Sequence, residues 1–319
     1  MGHIRINEEK STFLVLGGCG FIGSHLIAAL LEQGFRVRCF DLPNIVPIRS
    51  DFINASRFEL IEGNFANDGE VAKAMEGCDV CYHLVSTTLP KSSNADPVFD
   101  VESNVVATIK FLNNAVKYGI KKVIFVSSGG TVYGNPSEIP ISEDHPINPI
   151  CSYGITKFTI ERYLEAFYIL HGLDYTVLRI SNPFGEGQRI QANQGVIAVF
   201  LGKILKGEPV EIWGDGSVVR DFIYISDVID ALLKAVRTPC GERIFNIGSG
   251  EGLSLNDIIN RIEKIRGIPV KRNYIPGRAF DVPVNILNIK RAEKHLDWRP
   301  KIEFDSGLRK FIEWLENAQ

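Results

Sequence analysis

"STFLVLGGCGFIGSHLIAALLEQG", residues 11–34, decides the fold of this chain. An apolar run ends in a cluster of glycines, and apolar residues then recur at helical spacing until Gly34 stops them. The order is strand, glycine turn, helix. Gly17, Gly20 and Gly23 stand three apart, which allows a tight turn and lets a pyrophosphate approach the free N–H groups and positive dipole end of the helix. Gly17, Gly20, Phe21, Ile22 and Gly23 are therefore expected to cradle a dinucleotide. A glycine-rich turn without a ligand has the same spacing, so the neighbouring residues must decide.

Asp41 supplies the deciding group, at the end of the next strand in "VRCFDLP". Its carboxylate can accept from both hydroxyls of an adenosine ribose and would repel a 2'-phosphate, so the cofactor expected is NAD rather than NADP. "EGN" at 62–64 ends a third strand, where Asn64 and Phe65 border an adenine or form a simple turn. "YHLVS" at 82–86 ends a fourth, placing Leu84 and Ser86 along the cofactor.

Strands continue to alternate with helices through "KKVIFVSS", a helix from about 152 to 171 and "DYTVLRI". Strands separated by helices pair in parallel through right-handed crossovers. The fold class expected is α/β, a doubly wound parallel sheet (Rossmann) with a smaller mixed α/β substrate lobe. Residues 1–181 read as the NAD-binding domain and 182–319 mainly as the lobe, with about 221–250 returning to the first domain. The Gly- and Pro-rich stretch "SNPFGEGQRIQANQG" marks the passage between them, and long irregular loops of this kind are more often functional than not.

With 319 residues, 45% of them hydrophobic, the chain can fill a large core. A net charge of -3 and no long basic run argue against nucleic acid as partner. "MGHIRINEEK" lacks the apolar core of a signal peptide and no segment has the length of a membrane span, so a cytoplasmic location is expected. Cys78 and Cys81 form the one close sequence pair among six cysteines; with no second pair at zinc-like spacing, no metal site is expected and all six read as packing residues.

Tyr153 and Lys157 form Y-x-x-x-K in "SYGITKFTIERYLEAF". Positions four apart share a helix face, so an ammonium beside a phenol can favour its ionised form and make it a base near neutral pH. The strand "VIFVSSGGTVYG", residues 123–134, ends in hydroxyls and glycines, as a ligand wall does.

Taken together, "GGCGFIG", Asp41, "NVVAT", "SSGGTVYG", "YGITK", "RISNPFG" and "RDFIYISD" resemble the extended short-chain dehydrogenase/reductases of the nucleotide-sugar epimerase and dehydratase branch, and within it the UDP-sugar 4-epimerases most. The resemblance spans nearly the whole chain. It implies bound NAD, a UDP-sugar substrate, and Tyr153 as the base at the sugar's 4-hydroxyl with Lys157 on the nicotinamide ribose. It carries Asn104 and Ser127 over to the cofactor. Asn182 and Arg220 would then meet the diphosphate together with Arg278, Val196 and Trp213 the uridine, and Asp281 the ribose; as single residues the arginines also fit a surface and Trp213 a core. Helices near 98–118 and 152–171 carry exposed-looking apolar residues, Phe111, Phe158, Tyr163 and Phe167, most of which core packing against the sheet explains; the resemblance implies that these helices pair as a four-helix bundle in a homodimer.

Two departures stand out. Relatives carry Ser or Thr four residues before the tyrosine of "VYG", where this chain has Gly129; Ser128 is the substitute expected, with Thr131 or a water next. A dehydratase of the branch would carry acids where Gly130 and Thr131 stand, so elimination of water is disfavoured. Asn285 falls where relatives vary a residue against the sugar's C2 substituent.

Overall fold

A computed structural model describes residues 11–49, 51–190, 195–237, 241–277 and 282–317. The chain opens with β1 (Thr12–Leu16), α1 (Phe21–Glu32), β2 (Arg36–Asp41), β3 (Phe58–Glu62), α2 (Asp68–Met75) and β4 (Val80–His83). Two short helices follow, α3 (Pro90–Ala95) and α4 (Pro97–Asp100); a π-helical turn at Val101–Val106 then runs into α5 (Ala107–Lys117). Next come β5 (Lys122–Ser128), α6 (Ser152–His171), β6 (Asp174–Ile180), β7 (Asn182–Phe184), α7 (Val196–Leu205), β8 (Val210–Trp213), β9 (Val219–Tyr224), α8 (Ile225–Ala235) and β10 (Ile244–Ile247). The chain closes with β11 (Gly252–Ser254), α9 (Leu255–Arg266), β12 (Arg272–Ile275), β13 (Val284–Asn285), α10 (Lys290–Leu296) and α11 (Phe304–Asn317).

Seven strands form one sheet in the order β3-β2-β1-β4-β5-β6-β10, every neighbouring pair parallel. The order reverses between β1 and β4, and at such a switch point the carboxyl ends of the strands leave a crevice for a ligand. Strand alternation explains the two cores. Phe13 and Val15 of β1 face one cluster with Leu26, Ile27, Val228 and Leu232, while Leu14 and Leu16 face the other with Phe111, Leu112, Ile160 and Leu164. Both sheet faces are thus covered by helices.

The return of the chain to this sheet is made by α8 and β10, and Tyr82 of β4 donates to the Leu232 carbonyl of α8. β9 instead joins β11, β13 and β7 in a small separate sheet, and β8 pairs with β12. The long helix expected over 98–118 is α4, the π-helical turn and α5 in succession. Phe111 and Phe167 are core residues at 1% and 8% exposure, in keeping with the packing against the sheet expected for most of the apolar residues on these helices. No helix of the described residues is long and apolar enough to cross a membrane.

Candidate active site

The glycine loop closes the switch point from below. Gly17 has φ +79°, a conformation side chains rarely adopt, and a Cβ there would meet the Val85 amide nitrogen at 3.2 Å. A Cβ on Gly23 would lie 2.6 Å from the Gly18 Cα, so helix and loop touch backbone to backbone. Gly20, by contrast, is exposed and would meet only the Gly17 carbonyl, at 3.3 Å. It caps α1 without any side-chain hydrogen bond, and the first turn carries no acid. An anion can therefore reach the helix end at Gly20, Phe21, Ile22 and Gly23 unopposed.

Asp41 ties this loop down while keeping capacity for a ligand. One carboxylate oxygen accepts from the Cys19 N–H and the other from the Leu42 N–H, both at 2.8 Å. Each oxygen retains a lone pair, as a ribose diol requires. Asn64 is exposed, and its Oδ1 accepts from the Ala66 N–H. The Phe65 side chain is turned away into the core against His83 and Phe111, so only its backbone remains for an adenine. Cys19 and Cys39, distant in sequence, lie 3.7 Å apart sulfur to sulfur inside the core. Cys78 and Cys81 are buried, with burial pushing the Cys78 thiol up to about 11, and the described residues hold no metal-binding cluster.

Across the crevice, α6 carries Tyr153 half-buried and Lys157 at 4% exposure. Lys157 Nζ donates to the Val126 carbonyl (3.1 Å) and sits 4.8 Å from the Phe125 ring centroid and 5.6 Å from that of Tyr153. Burial lowers the ammonium to about 8, opposed by the attraction of Asp100 and Glu161. The Tyr153 phenol is not lowered by its neighbour: burial pushes it up to about 12, against a hydrogen bond with the exposed Ser86 side chain. Lys157 lies over the ring face rather than at the hydroxyl, which explains the difference from the expected tuning. Leu84 continues β4 through its N–H to the Leu16 carbonyl.

Behind the pair lies a buried network. Ser127 donates to Glu161, which also accepts from Arg179 Nε (3.1 Å) and Nη2 (2.6 Å); Arg179 Nη1 donates to the Tyr133 hydroxyl, and Tyr133 to Asn246 Oδ1. The Ser127 hydroxyl is thus engaged inside the protein. So is Asn104, whose Nδ2 donates to Thr87 Oγ1 and Asp100 and whose Oδ1 accepts from the Thr87 N–H. Glu161 continues the 153, 157 spacing by one more turn, a signal present in the sequence. Asp100 had none, because its partners are scattered.

At the end of β5, Gly129 is buried, and a Cβ there would lie 2.5 Å from Leu287 Cδ1. Asn285, 1% exposed, donates from Nδ2 to the Gly129 carbonyl at 3.1 Å. Asn285 Oδ1, Thr131 Oγ1 and Ser181 Oγ are buried without partners, an orphaned set at the same sheet end, while Ser128 is half-buried.

The lobe residues are more dispersed. Asn182 Nδ2 donates to the Asp221 carbonyl, and Arg220 Nη1 to the carbonyls of Val219 and Val282. Val196 opens α7 half-buried. Trp213, 40% exposed, precedes an open depression of about 580 Å³ lined by Gly214, Asp215 and Tyr274 to Gly277, away from Tyr153. Arg278 and Asp281 lie outside the described residues.

Comparison with known proteins places the chain in a family and agrees with the fold. The profile of the NAD dependent epimerase/dehydratase family matches residues 13–248. A UDP-glucose 4-epimerase of Mycolicibacterium smegmatis is 33% identical over 95% of this chain and 98% of its own. A dTDP-4-dehydro-6-deoxyglucose reductase of Escherichia coli is 37% identical over 96% and 98%. The crystal structure of a UDP-glucose 4-epimerase with UDP-glucose from Thermotoga maritima superposes with a TM-score of 0.90 at 33% identity, covering 96% of this chain and 99% of that one.

Proposed function

The chain belongs to the NAD dependent epimerase/dehydratase family, with NAD as its cofactor, and from that membership we propose that it interconverts the C4 epimers of a UDP-sugar, the glucose/galactose pair or its N-acetylated counterpart. The coarser statement, an enzyme of nucleotide-sugar chemistry, rests on the family and its relatives. The observation that carries the proposed epimerisation is the Tyr153–Lys157 pair on one face of α6, with the Tyr153 hydroxyl bonded to Ser86 just beyond β4.

In this reading Tyr153 acts as the phenolate, a form that its burial disfavours and the Lys157 ammonium favours; it takes the proton of the sugar's 4-hydroxyl, becoming the neutral phenol, and later returns that proton. NAD, held by these residues, would supply a reversible hydride acceptor for the sugar's C4, so that no second substrate would be consumed. The sugar passes through a 4-keto form. Gly17 to Gly23 would hold the pyrophosphate, Asp41 the adenosine ribose, and Lys157 the nicotinamide ribose. Asn182, Val196, Trp213 and Arg220, with Arg278 and Asp281, would hold the nucleotide of the substrate; Ser128, or Thr131 with its unspent hydroxyl, would stand in for the hydroxyl that Gly129 lacks.

Purified protein incubated with UDP-galactose and with UDP-N-acetylgalactosamine tests the reading. Appearance of the gluco epimer without net oxidation or reduction is the expected result. Reduction of a 4-keto nucleotide sugar is a second reading, favoured by the Escherichia coli reductase among the relatives; stoichiometric consumption of reduced cofactor on dTDP-4-keto-6-deoxyglucose would establish it. No turnover in either assay would leave a non-catalytic NAD-binding regulator.

A homodimer is part of the same proposal. Val98, Phe99, Val101 and Val106 on one helical stretch and Ile155 and Tyr163 on α6 are apolar and at least 37% exposed. Light scattering should give twice the chain mass, and a monomer would refute the pairing.

A further inference from the structure

Asp100 closes α4 at 0% exposure and accepts hydrogen bonds from four hydroxyls, Thr88 (2.5 Å), Ser93 (2.5 Å), Thr156 (2.8 Å) and Ser152 (2.9 Å), and from Asn104 Nδ2 (3.0 Å). Among the described residues no lysine, arginine or histidine forms an ion pair with it. A buried carboxylate surrounded only by neutral donors is costly, and it is retained here between α6, which carries the reacting pair, and the segment after β4. Ser152 and Thr156 bracket Tyr153 and adjoin Lys157 on α6, whereas Thr88 follows Ser86, the partner of the Tyr153 hydroxyl.

We propose that Asp100 is a positioning residue for the Tyr153–Lys157 pair: it pins the first turns of α6 to the loop after β4, and it supplies the buried negative charge against which the Lys157 ammonium sits. The inference rests on reading Tyr153 and Lys157 as the reacting pair.

The charges around the pair single Asp100 out. Glu161 faces Lys157 from further along α6 but is neutralised by Arg179 of β6. His83 of β4, fully buried, is pushed down to about 3 by burial and by Lys157, so it stays neutral. Cys151 precedes the helix, and burial raises its thiol, leaving it uncharged as well. Burial also works against ionised Asp100, but the hydroxyls outweigh it and hold the carboxyl below its ordinary range. Burial lowers the Lys157 ammonium, and the field of Asp100 opposes that, at the cost of also raising the Tyr153 phenol.

Asp100→Asn in the NAD-loaded enzyme keeps the shape and removes the charge. Two readouts apply: NMR titration of lysine labelled at Cε, with Lys157 assigned by difference from Lys157→Arg, and the pH profile of kcat/KM. Without Asp100 both groups lose their protons at lower pH, so the Lys157 titration and both limbs of the profile should move acidward by about one unit. A slower variant with the titration and limbs unmoved would overturn the proposal, since lost packing lowers rates without displacing pKa values. A moved titration in a protein whose parent turns over no nucleotide sugar would uphold the role of Asp100 and sink the functional reading instead. Where Asp100→Asn does not fold, Ser152→Ala removes one pin and leaves the charge; about tenfold slower turnover with limbs in place is expected, and undiminished turnover overturns the pinning.

Discussion

Replacing Gly129 with serine introduces the hydroxyl that the family resemblance leads one to expect at this position, yet the structure argues that it harms the protein. The added Cβ would lie 2.5 Å from Cδ1 and 3.0 Å from Cδ2 of Leu287, and 3.1 Å from the Arg179 carbonyl oxygen. Leu287 cannot swing clear, because it is fully buried in a cluster with Val132, Tyr133 and Ile141. Overpacking of this kind costs about 1–3 kcal/mol. With an unfolding entropy of roughly 2.1 cal/mol/K per residue, each kcal/mol lowers the melting midpoint of a 319-residue chain by about 1.5 °C, so a fall of about 2–5 °C is expected. Turnover should fall too, since any shift of Leu287 drags on β13, whose Asn285 holds the Gly129 carbonyl. The cause can be isolated with Leu287→Ala, which alone costs about 2–5 kcal/mol. In the Gly129→Ser background it should cost less, by a coupling of about 0.5–3 kcal/mol in denaturant titrations of the four proteins. A serine variant as stable as the parent and faster in turnover, or a coupling of zero, would refute the steric argument and show that only a hydroxyl was missing.

Three further outcomes follow from the site. Tyr153→Phe should retain NAD through chromatography yet lose at least about a hundredfold in kcat; near-normal turnover would remove Tyr153 from the chemistry. The kcat/KM of the parent should decline as pH rises through about 8, where the Lys157 ammonium loses its proton, and a profile still flat well above that pH would show that the charge is not needed. Glu161→Gln leaves Arg179, 3% exposed, without its counter-ion, and should destabilise by about 3–5 kcal/mol in urea titrations; a change within error would mean that the arginine finds another partner.

What sequence could show depended on the range of the interactions. The glycine loop, Asp41 and the strand-helix alternation are local patterns, and the parallel sheet with its switch point matches the fold expected from them. Tyr153 and Lys157 were legible because one helix turn brings them together. Phe111 and Phe167 pack in the core, as expected of most apolar residues on these helices, but helical periodicity marks an apolar face without saying which of its residues are covered. Asp100 was invisible for a different reason: its donors at 88, 93, 104, 152 and 156 come from separate segments, and only the folded sheet gathers them. The Leu287 contact with Gly129 is likewise a product of folding, so the sequence invited a restored hydroxyl where the packing leaves no room for a Cβ.

The same packing bears on how sugar choice and chemistry are joined. β5 ends at Ser128, and the next residue is held from one side by its N–H to the Ile180 carbonyl and from the other by Asn285 Nδ2. Asn285 belongs to β13, which pairs with β9 of the smaller sheet, and Arg220 of β9 reaches the Val282 carbonyl just before that strand. In the proposed reading, where Asn285 faces the sugar, that residue is mechanically tied to the end of β5. Its Oδ1 and the hydroxyl of Thr131 are buried without partners, and an unpaired buried acceptor penalises a ligand that cannot donate to it more than it rewards one that can. Discrimination at this corner should then appear in kcat as much as in KM, because a sugar that displaces Asn285 also displaces the carbonyl of Gly129 on which the wall of the site is hung.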